Sequence, residues 1–196
     1  ESIQPHNILA VTFTNKAANE MNKRISDMLS IDTRGMWVGT FHGLAHKFLR
    51  LHWKEAGLQK NFQILDSDDQ YRQIKRLIKN MSLDETYYPP KEIQWYINAQ
   101  KDQGIRSNKS KQDPSRKDFI EIYKSYEMVC EQSGLVDFGE LLLRCFETLA
   151  NTKELLEHYQ TRFNSILVDE FQDTNEIQYQ WIKLLSSNGA STFVVG

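Results

Sequence analysis

The sequence is poor in cysteine and histidine, and neither residue type is arranged as a metal site. Two cysteines, Cys130 and Cys145, and five scattered histidines are present in 196 residues. Both cysteines lie in segments with a helical pattern, and their spacing matches no metal-binding motif. We therefore expect two reduced packing residues, neither a disulfide framework nor a zinc site.

Long hydrophobic runs are also missing. No apolar stretch approaches the roughly 20 residues that a membrane-spanning helix requires. The first residues lack the basic and then apolar layout of a signal peptide, so we expect a cytoplasmic protein. A content of 40% hydrophobic and 26% charged residues is that of an ordinary globular chain, large enough for one core or a core with an insertion.

The net charge of −2 conceals an uneven distribution. Between residues 91 and 117 there are seven basic residues against three acidic ones, and between residues 118 and 176 there are thirteen acidic residues against four basic ones. A surface divided in this way could face a polyanion on one side. The alternative is a solvated loop rich in basic residues. The seven basic residues are Lys91, Lys101, Arg106, Lys109, Lys111, Arg116 and Lys117.

Four short apolar runs predict buried strands of a parallel sheet: "NILAVTF", "MWVGTFHG", "NSILVDE" and "STFVVG". A helix capped by Thr14 or Asn15 follows the first run. Helical patterns dominate from residue 44 to about residue 163. The order predicts an α/β fold in which residues 1–43 and 164–196 form a parallel sheet domain and residues 44–163 an inserted helical subdomain.

Within the helical block, capping signatures mark several helix starts. Ser67 with Gln70 and Asp137 with Glu140 have the capping-box spacing. Prolines suit the first turn of a helix, and two of them stand at predicted starts, Pro90 and Pro114. We expect the large aromatic residues of this block to be core residues: Trp53, Trp95 and Tyr96.

The stretch "ILVDEFQDTNEIQ" carries the chemistry, because a buried strand runs directly into Asp169 and Glu170. Open α/β sheets bind ligands at the carboxyl ends of their strands. In a nucleotide hydrolase one carboxylate there holds Mg²⁺ and a second takes a proton from the attacking water. An apolar run followed by Asp-Glu also occurs by chance, and the continuation "FQDTN" makes the pattern specific.

Several segments resemble motifs of the superfamily 1 helicases of the UvrD/Rep type. "LVDEFQDTN" resembles their motif II, "AVTFTNKAANEM" their motif Ia and "VGTFHGLAHKFLR" their motif Ib. "GLVDFGELL" is similar to the segment where their inserted subdomain 1B rejoins core domain 1A. The resemblance covers essentially the whole chain in the right order. It implies an incomplete RecA-like sheet with a P-loop NTPase fold (1A) and an inserted α-helical subdomain (1B).

The resemblance also implies roles for individual residues. Asp169 is expected to hold Mg²⁺ and Glu170 to be the general base of ATP hydrolysis, with Gln172 and Asp173 organising the nucleotide site. The expected contacts to single-stranded DNA are two segments: the motif Ia segment (Thr12, Phe13, Thr14, Asn15 and Lys16) and the motif Ib segment (Thr40, Phe41 and His42). A helix N-terminus suits a phosphate and an exposed aromatic ring suits a base. Phe13 and Phe41 could instead be core residues, and His42 a structural histidine.

As a whole, the resemblance implies an ATP-dependent DNA helicase that moves 3′ to 5′ on single strands in DNA repair. Its expected cofactors are ATP and Mg²⁺, and its expected partners are single-stranded DNA, junctions of single and double strands, and repair proteins. A Rep-type or recombination helicase-nuclease, a binding module without chemistry, and a purely structural interaction domain remain alternatives.

One expected motif does not occur in the sequence. The ATP-binding loop of such enzymes reads G-x-x-x-x-G-K-[ST], but none of the nine glycines is followed by lysine. We therefore expect a fragment that does not hydrolyse ATP alone. We also expect an exposed sheet edge beside "STFVVG", with a tendency to dimerise or aggregate.

Overall fold

A computed structural model of the protein describes residues 4–29, 33–110 and 117–196. The strands are β1 (Ile8–Thr12), β2 (Trp37–Thr40), β3 (Gln63–Leu65), β4 (Leu135–Asp137), β5 (Ser165–Val168) and β6 (Ser191–Val194). The helices are α1 (Asn15–Leu29), α2 (Phe41–Leu51), α3 (Ser67–Asn80), α4 (Pro90–Asp102), α5 (Lys117–Ser133), α6 (Phe138–Asn151), α7 (Lys153–Arg162) and α8 (Glu176–Ser186). None of the helices in these ranges is both long and apolar enough to cross a membrane.

Four strands form one parallel sheet in the order β2, β1, β5, β6. Leu9 of β1 lies beside Trp37 of β2 on one side and Ile166 of β5 on the other. Helix α1 connects β1 to β2 and α8 connects β5 to β6, whereas α2 to α7 lie between β2 and β5. The predicted parallel sheet, interrupted by a helical block, is therefore confirmed.

The two faces of the sheet are covered unequally. Ile166 and Val168 of β5 are buried in a core shared with α2, α6, α7 and α8. On the opposite face α1 contacts β1 and β2. It leaves a groove of about 280 Å³ in which Leu167 is 38% exposed and Phe193 57% exposed. The prediction that β5 is covered on both faces is therefore wrong at Leu167.

Aromatic rings join the first core to the sheet. Trp37 of β2 packs edge-on against Tyr159 of α7 and Phe163, with ring centroids 5.4 and 5.6 Å away. Phe48 of α2 lies 5.3 Å from Tyr159. Parts of α2, α6 and α7 thus pack on the sheet although the sequence assigns them to the insertion. The boundaries at residues 43 and 164 stay a prediction.

A second core unites α3, α4 and α5 around buried residues such as Ile78, Ile97 and Tyr123. Beside it β3 and β4 form a two-stranded parallel sheet, in which Ile64 pairs with Val136. Three residues per strand are too few for a periodic signal, so the sequence did not predict this sheet.

Two of the four predicted helix starts in this block are confirmed. Helix α4 begins at Pro90, and Asp137 caps α6 by accepting a hydrogen bond from the Glu140 N–H at 2.7 Å. The cap of α3 is Asp66 rather than Ser67, because Asp66 is extended and its carboxylate accepts from the Asp69 N–H. The predicted start at Pro114 lies outside the described residues.

The three aromatic residues that were predicted to be core residues of this block differ in their exposure. Trp53 and Tyr96 are half-buried, whereas Trp95 is 64% exposed. The reason is helical geometry: Ile93 and Ile97 define the buried face of α4, and Trp95 lies about 200° around the helix from each. The prediction that Trp95 is a core residue is therefore wrong.

Charged side chains are buried where the two cores meet. Lys101 of α4 is 2% exposed, and its Nζ lies 2.7 Å from Asp137 Oδ2 and 3.1 Å from Glu140 Oε2. The Arg106 guanidinium contacts both Glu140 oxygens at 2.7 and 2.8 Å. We call the whole group the buried ion cluster; its members are Lys101, Arg106, Glu127, Asp137, Glu140, Arg144 and Glu147.

The buried ion cluster removes two residues from the predicted basic surface. Lys101 and Arg106 belong to the seven basic residues that suggested a surface for a polyanion. Both face inward and are neutralised by carboxylates of α5 and α6, so neither contributes to such a surface.

Candidate functional site

The carboxyl ends of β1, β2 and β5 meet at one edge of the sheet. Thr12 lies beside Thr40, and Val11 lies beside Val168. The residues that follow each strand are therefore neighbours. The motif Ia segment, the motif Ib segment and the Asp169–Glu170 pair all lie at this edge.

Asp169 is half-buried and forms two hydrogen bonds with the end of β1. Its backbone N–H donates to the Val11 carbonyl oxygen at 3.0 Å. Its Oδ2 accepts a hydrogen bond from the Thr12 hydroxyl at 3.2 Å. The carboxylate is thus oriented by the neighbouring strand.

Glu170 is exposed, and its backbone is left-handed, with φ 53° and ψ 46°. A residue with a Cβ rarely adopts this conformation, which costs on the order of 1 kcal/mol and recurs at functional sites. The chain leaves the β5 ladder here and enters a 3₁₀ turn, Phe171–Asp173.

The 3₁₀ turn carries Gln172 and Asp173, which are both exposed. The Gln172 amide donates a hydrogen bond to the Glu170 carboxylate. The end of β6 braces the turn, since the Phe171 N–H donates to the Val195 carbonyl oxygen at 2.9 Å. A Cβ at Gly196 would meet the Gln172 side-chain amide, so a larger residue there would require that exposed side chain to move.

The motif Ia segment turns from β1 into α1. Thr14 caps the helix by accepting a hydrogen bond from the Ala17 N–H at 3.1 Å. Asn15 and Lys16 are exposed in the first turn, and Phe13 is half-buried. A helix N-terminus with free N–H groups beside a lysine attracts a phosphate.

The motif Ib segment starts α2. Thr40 caps this helix through the Gly43 N–H at 3.1 Å. Phe41 is 1% exposed and packs between Phe13 and Trp181, with ring centroids 5.3 and 6.1 Å away.

His42 is half-buried, and its ring meets the edge of Phe138 at 5.9 Å. Burial lowers the pKa of His42, which favours its neutral imidazole. The neutral ring has one N–H donor and one nitrogen acceptor.

The predicted site residues therefore divide by exposure. Thr12 and Phe41 face inward and support the edge from below, since each is 1% exposed. The sequence missed Phe138, the first residue of α6, which is 47% exposed beside His42. Phe138 stands three and four positions before the buried Leu141 and Leu142, so the helical period places it on their face and the sequence carries no signal of its exposure.

The surroundings of Asp169 fit Mg²⁺, which needs few protein ligands, better than a metal that protein side chains coordinate alone. Among the described residues no three His, Cys, Asp or Glu side chains converge on one point. Mg²⁺ commonly binds one or two carboxylates and completes its shell with waters and substrate phosphates. A single oriented carboxylate at a strand end fits that pattern.

P-loop NTPases are one class of protein that carries an acidic residue after a central strand of a parallel sheet. All 196 residues match the family described as the UvrD/REP helicase N-terminal domain, and the chain belongs to this family.

Comparison with individual relatives agrees. The chain is 52% identical over 198 residues to DNA helicase II of Escherichia coli (strain K12), and 49% identical over 202 residues to DNA helicase II of Haemophilus influenzae. It is 37% identical over 199 residues to the ATP-dependent DNA helicase PcrA of Leuconostoc citreum. Each match covers the whole chain but 28%, 28% and 27% of the relative. The chain thus spans just over a quarter of the length of these curated relatives.

Proposed function

We propose that the protein provides part of the motor of an ATP-dependent DNA helicase, with a core domain 1A formed by residues 1–43 and 164–196 and a subdomain 1B formed by residues 44–163. The full-length protein moves 3′ to 5′ on single-stranded DNA and unwinds duplexes at single/double-strand junctions. Its setting is DNA repair, with other repair proteins, in the bacterial cytoplasm. The names of the relatives, DNA helicase II and ATP-dependent DNA helicase PcrA, support this proposal.

The observation that carries the proposal is the common edge of the sheet. The ends of β1 and β2 bear the two DNA segments, and the adjacent end of β5 bears the carboxylate pair. A motor needs its hydrolytic groups close to the groups that grip its track. The parallel alignment of β1, β2 and β5 meets that requirement, because it brings both sets of residues to one edge of the sheet.

On the nucleotide side, Asp169 holds Mg²⁺ through its carboxylate, and Glu170 takes a proton from the water that attacks ATP. Gln172 keeps the Glu170 carboxylate in place through its amide. Asp173 lies in the same 3₁₀ turn and belongs to the wall of the nucleotide site. Mg²⁺, when bound, supplies positive charge to the phosphates.

On the DNA side, exposed and half-buried residues make the contacts. Thr14, Asn15 and Lys16 offer polar groups and a charge to the backbone phosphates. Phe13 and Phe138 offer aromatic surface to the bases. Thr12 and Phe41, which are buried, shape the segments from beneath, and Thr40 does so as the cap of α2.

The test is ATP hydrolysis by the protein at the full length of its relatives, with and without single-stranded DNA. Full length is required because the present sequence contains no G-x-x-x-x-G-K-[ST] loop. Glu170→Gln should lower the DNA-stimulated rate by about a hundredfold or more, since a general base contributes about 10² to 10⁴. Nucleotide binding should remain.

The matched control is Glu157→Gln, the same change at an exposed residue of α7. It should keep the wild-type rate. An unchanged rate in Glu170→Gln, or no stimulation of the wild-type protein by DNA, would contradict the proposal.

A further inference from the structure

Thr12 is the last residue of β1 and makes an unusual contact for its position. Its side chain is buried, at 1% exposure, and its hydroxyl donates to Asp169 Oδ2 at 3.2 Å. A valine would have the same shape and an equal preference for a strand. What threonine adds is the hydroxyl, and a buried hydroxyl is stable only with a partner.

The same residue begins the motif Ia segment. The chain passes directly from Thr12 to Phe13, whose ring rests on Phe41, and then to Thr14, which caps α1. Thr12 is therefore connected covalently to the residues that face DNA and through a hydrogen bond to the carboxylate that faces the metal. Among the described contacts, this is a direct side-chain link between the two sites.

We infer that Thr12 is a positioning residue that couples the DNA segment to the metal carboxylate. Its hydroxyl holds Asp169 Oδ2 and leaves the other carboxylate oxygen free for a divalent cation. A shift of the motif Ia segment on DNA moves Thr12 and thereby changes how well Asp169 binds the cation. Linkage requires the converse, so the bound cation changes the affinity for DNA by the same factor. The inference rests on the proposed function.

The experiment uses the full-length protein with Mn²⁺ as the probe, since Mn²⁺ takes the same oxygen ligands as Mg²⁺ and is detected by electron paramagnetic resonance. Mn²⁺ affinity is measured with a non-hydrolysable ATP analogue, with and without oligo(dT). Affinity for oligo(dT) is measured by fluorescence anisotropy, with and without Mn²⁺ and the analogue. The variants are Thr12→Val, which removes the hydroxyl, and Thr12→Ser, which keeps it.

In Thr12→Val, Mn²⁺ affinity should fall about three- to tenfold, a small effect for a hydrogen bond to a charged group because 3.2 Å is long. The effect of oligo(dT) on Mn²⁺ binding should disappear. Affinity for oligo(dT) without nucleotide is measured for every variant, so that a loss of DNA binding itself is distinguished from a loss of coupling. Thr12→Ser should retain the coupling.

The control is Thr148→Val, which removes another buried threonine hydroxyl, one that donates to the Arg144 carbonyl oxygen inside α6. A purely structural role of Thr12 predicts that both Val variants lower the melting temperature and leave the coupling unchanged. Should Thr12→Val fail to fold, Thr12→Ala removes the same hydroxyl and places no methyl group against the Asp169 carboxylate.

Two failures have different meanings. If Asp169→Asn leaves Mn²⁺ affinity unchanged, Asp169 is not the metal ligand, and the proposed function is wrong along with the inference. If Asp169→Asn weakens Mn²⁺ binding but Thr12→Val changes neither Mn²⁺ affinity nor the effect of oligo(dT), the proposed function stands and the coupling role of Thr12 is overturned.

Discussion

Replacement of Lys101 by methionine should destabilise the protein strongly, although lysine is usually a surface residue. Lys101 is 2% exposed, and its ammonium lies 2.7 Å from Asp137 and 3.1 Å from Glu140. Methionine keeps most of the aliphatic volume, so a cavity contributes little. The change therefore isolates the loss of one charge from the buried ion cluster.

The magnitude follows from the partners that remain. Removal of one member of a buried ion pair costs about 3 to 5 kcal/mol, because the other charge stays buried without compensation. Here Asp137 keeps a hydrogen bond from the Tyr126 hydroxyl at 2.7 Å, and Glu140 keeps its contacts to Arg106 and Arg144. We therefore expect the lower limit, about 3 kcal/mol.

Urea unfolding measures this difference. With a slope of about 2 kcal/mol per molar urea, the midpoint of Lys101→Met should fall by about 1.5 M. Lys153→Met is the control, since Lys153 pairs with Glu157 at 3.6 Å with both side chains exposed. It should cost less than about 0.5 kcal/mol. Equal midpoint shifts in the two variants would refute the argument from burial.

The pH dependence of stability gives a second test of the same cluster. Burial raises the pKa of Glu140, but Lys101, Arg106 and Arg144 together bring it well below the usual range. The folded protein thus binds this proton more weakly than the unfolded chain. The stabilisation is present above about pH 4.3, the unfolded value, and decreases as the pH falls below it. Lys101→Met should lose less stability between pH 5 and pH 3 than wild type; parallel curves would contradict this.

Two further predictions concern the surface. The backbone N–H groups of Ser191 and Val195 donate hydrogen bonds to the neighbouring strand β5. Because N–H groups alternate in direction along a strand, the Thr192 N–H points to the opposite edge of β6, which is open. The 196-residue chain should therefore self-associate in sedimentation velocity, and Thr192→Pro should prevent this without unfolding; a wild-type chain that stays monomeric at high concentration would refute it. Phe138→Ala in the full-length protein should weaken oligo(dT) binding about fivefold or more, as loss of one stacked base does. Tyr87→Ala, at another exposed ring, should not.

The strands and the position of the carboxylate pair were predictable because both depend on local pattern. Apolar runs indicate buried parallel strands, and parallel strands bring their carboxyl ends to one edge. The adjacency of Asp169 to the motif Ia segment depends in addition on the strand order β2, β1, β5, β6, which the sequence did not predict.

The orientation of single side chains was not predictable in the same way. Phe41 is buried because Trp181, 140 positions later, packs on it from α8. Thr12 is buried, and its hydroxyl donates a hydrogen bond to Asp169, which follows the neighbouring strand β5. Both partners are distant in sequence, so residues that a DNA-binding motif places on the surface can lie beneath it.

The burial of two basic residues was not predictable for a related reason. Lys101 and Arg106 stand in a polar, basic stretch, where solvent exposure is the usual outcome. Their partners Asp137 and Glu140 are known from sequence only as a capping pair. In the structure Gly139, which stands between them, packs against Lys101, since a Cβ there would lie 3.2 Å from Lys101 Cβ and Cδ.

The segment from Leu135 to Glu140 joins these observations. Its first residues pair with β3, Asp137 and Glu140 neutralise Lys101 of α4, and Phe138 touches His42 at the DNA edge. One short segment thus connects the helical core to the sheet edge. Because Asp137 caps α6 and also holds Lys101, the orientation of Phe138 depends on the ion cluster. Loss of Lys101 should therefore disturb the proposed DNA surface through Phe138 while the Thr12–Asp169 contact remains in place.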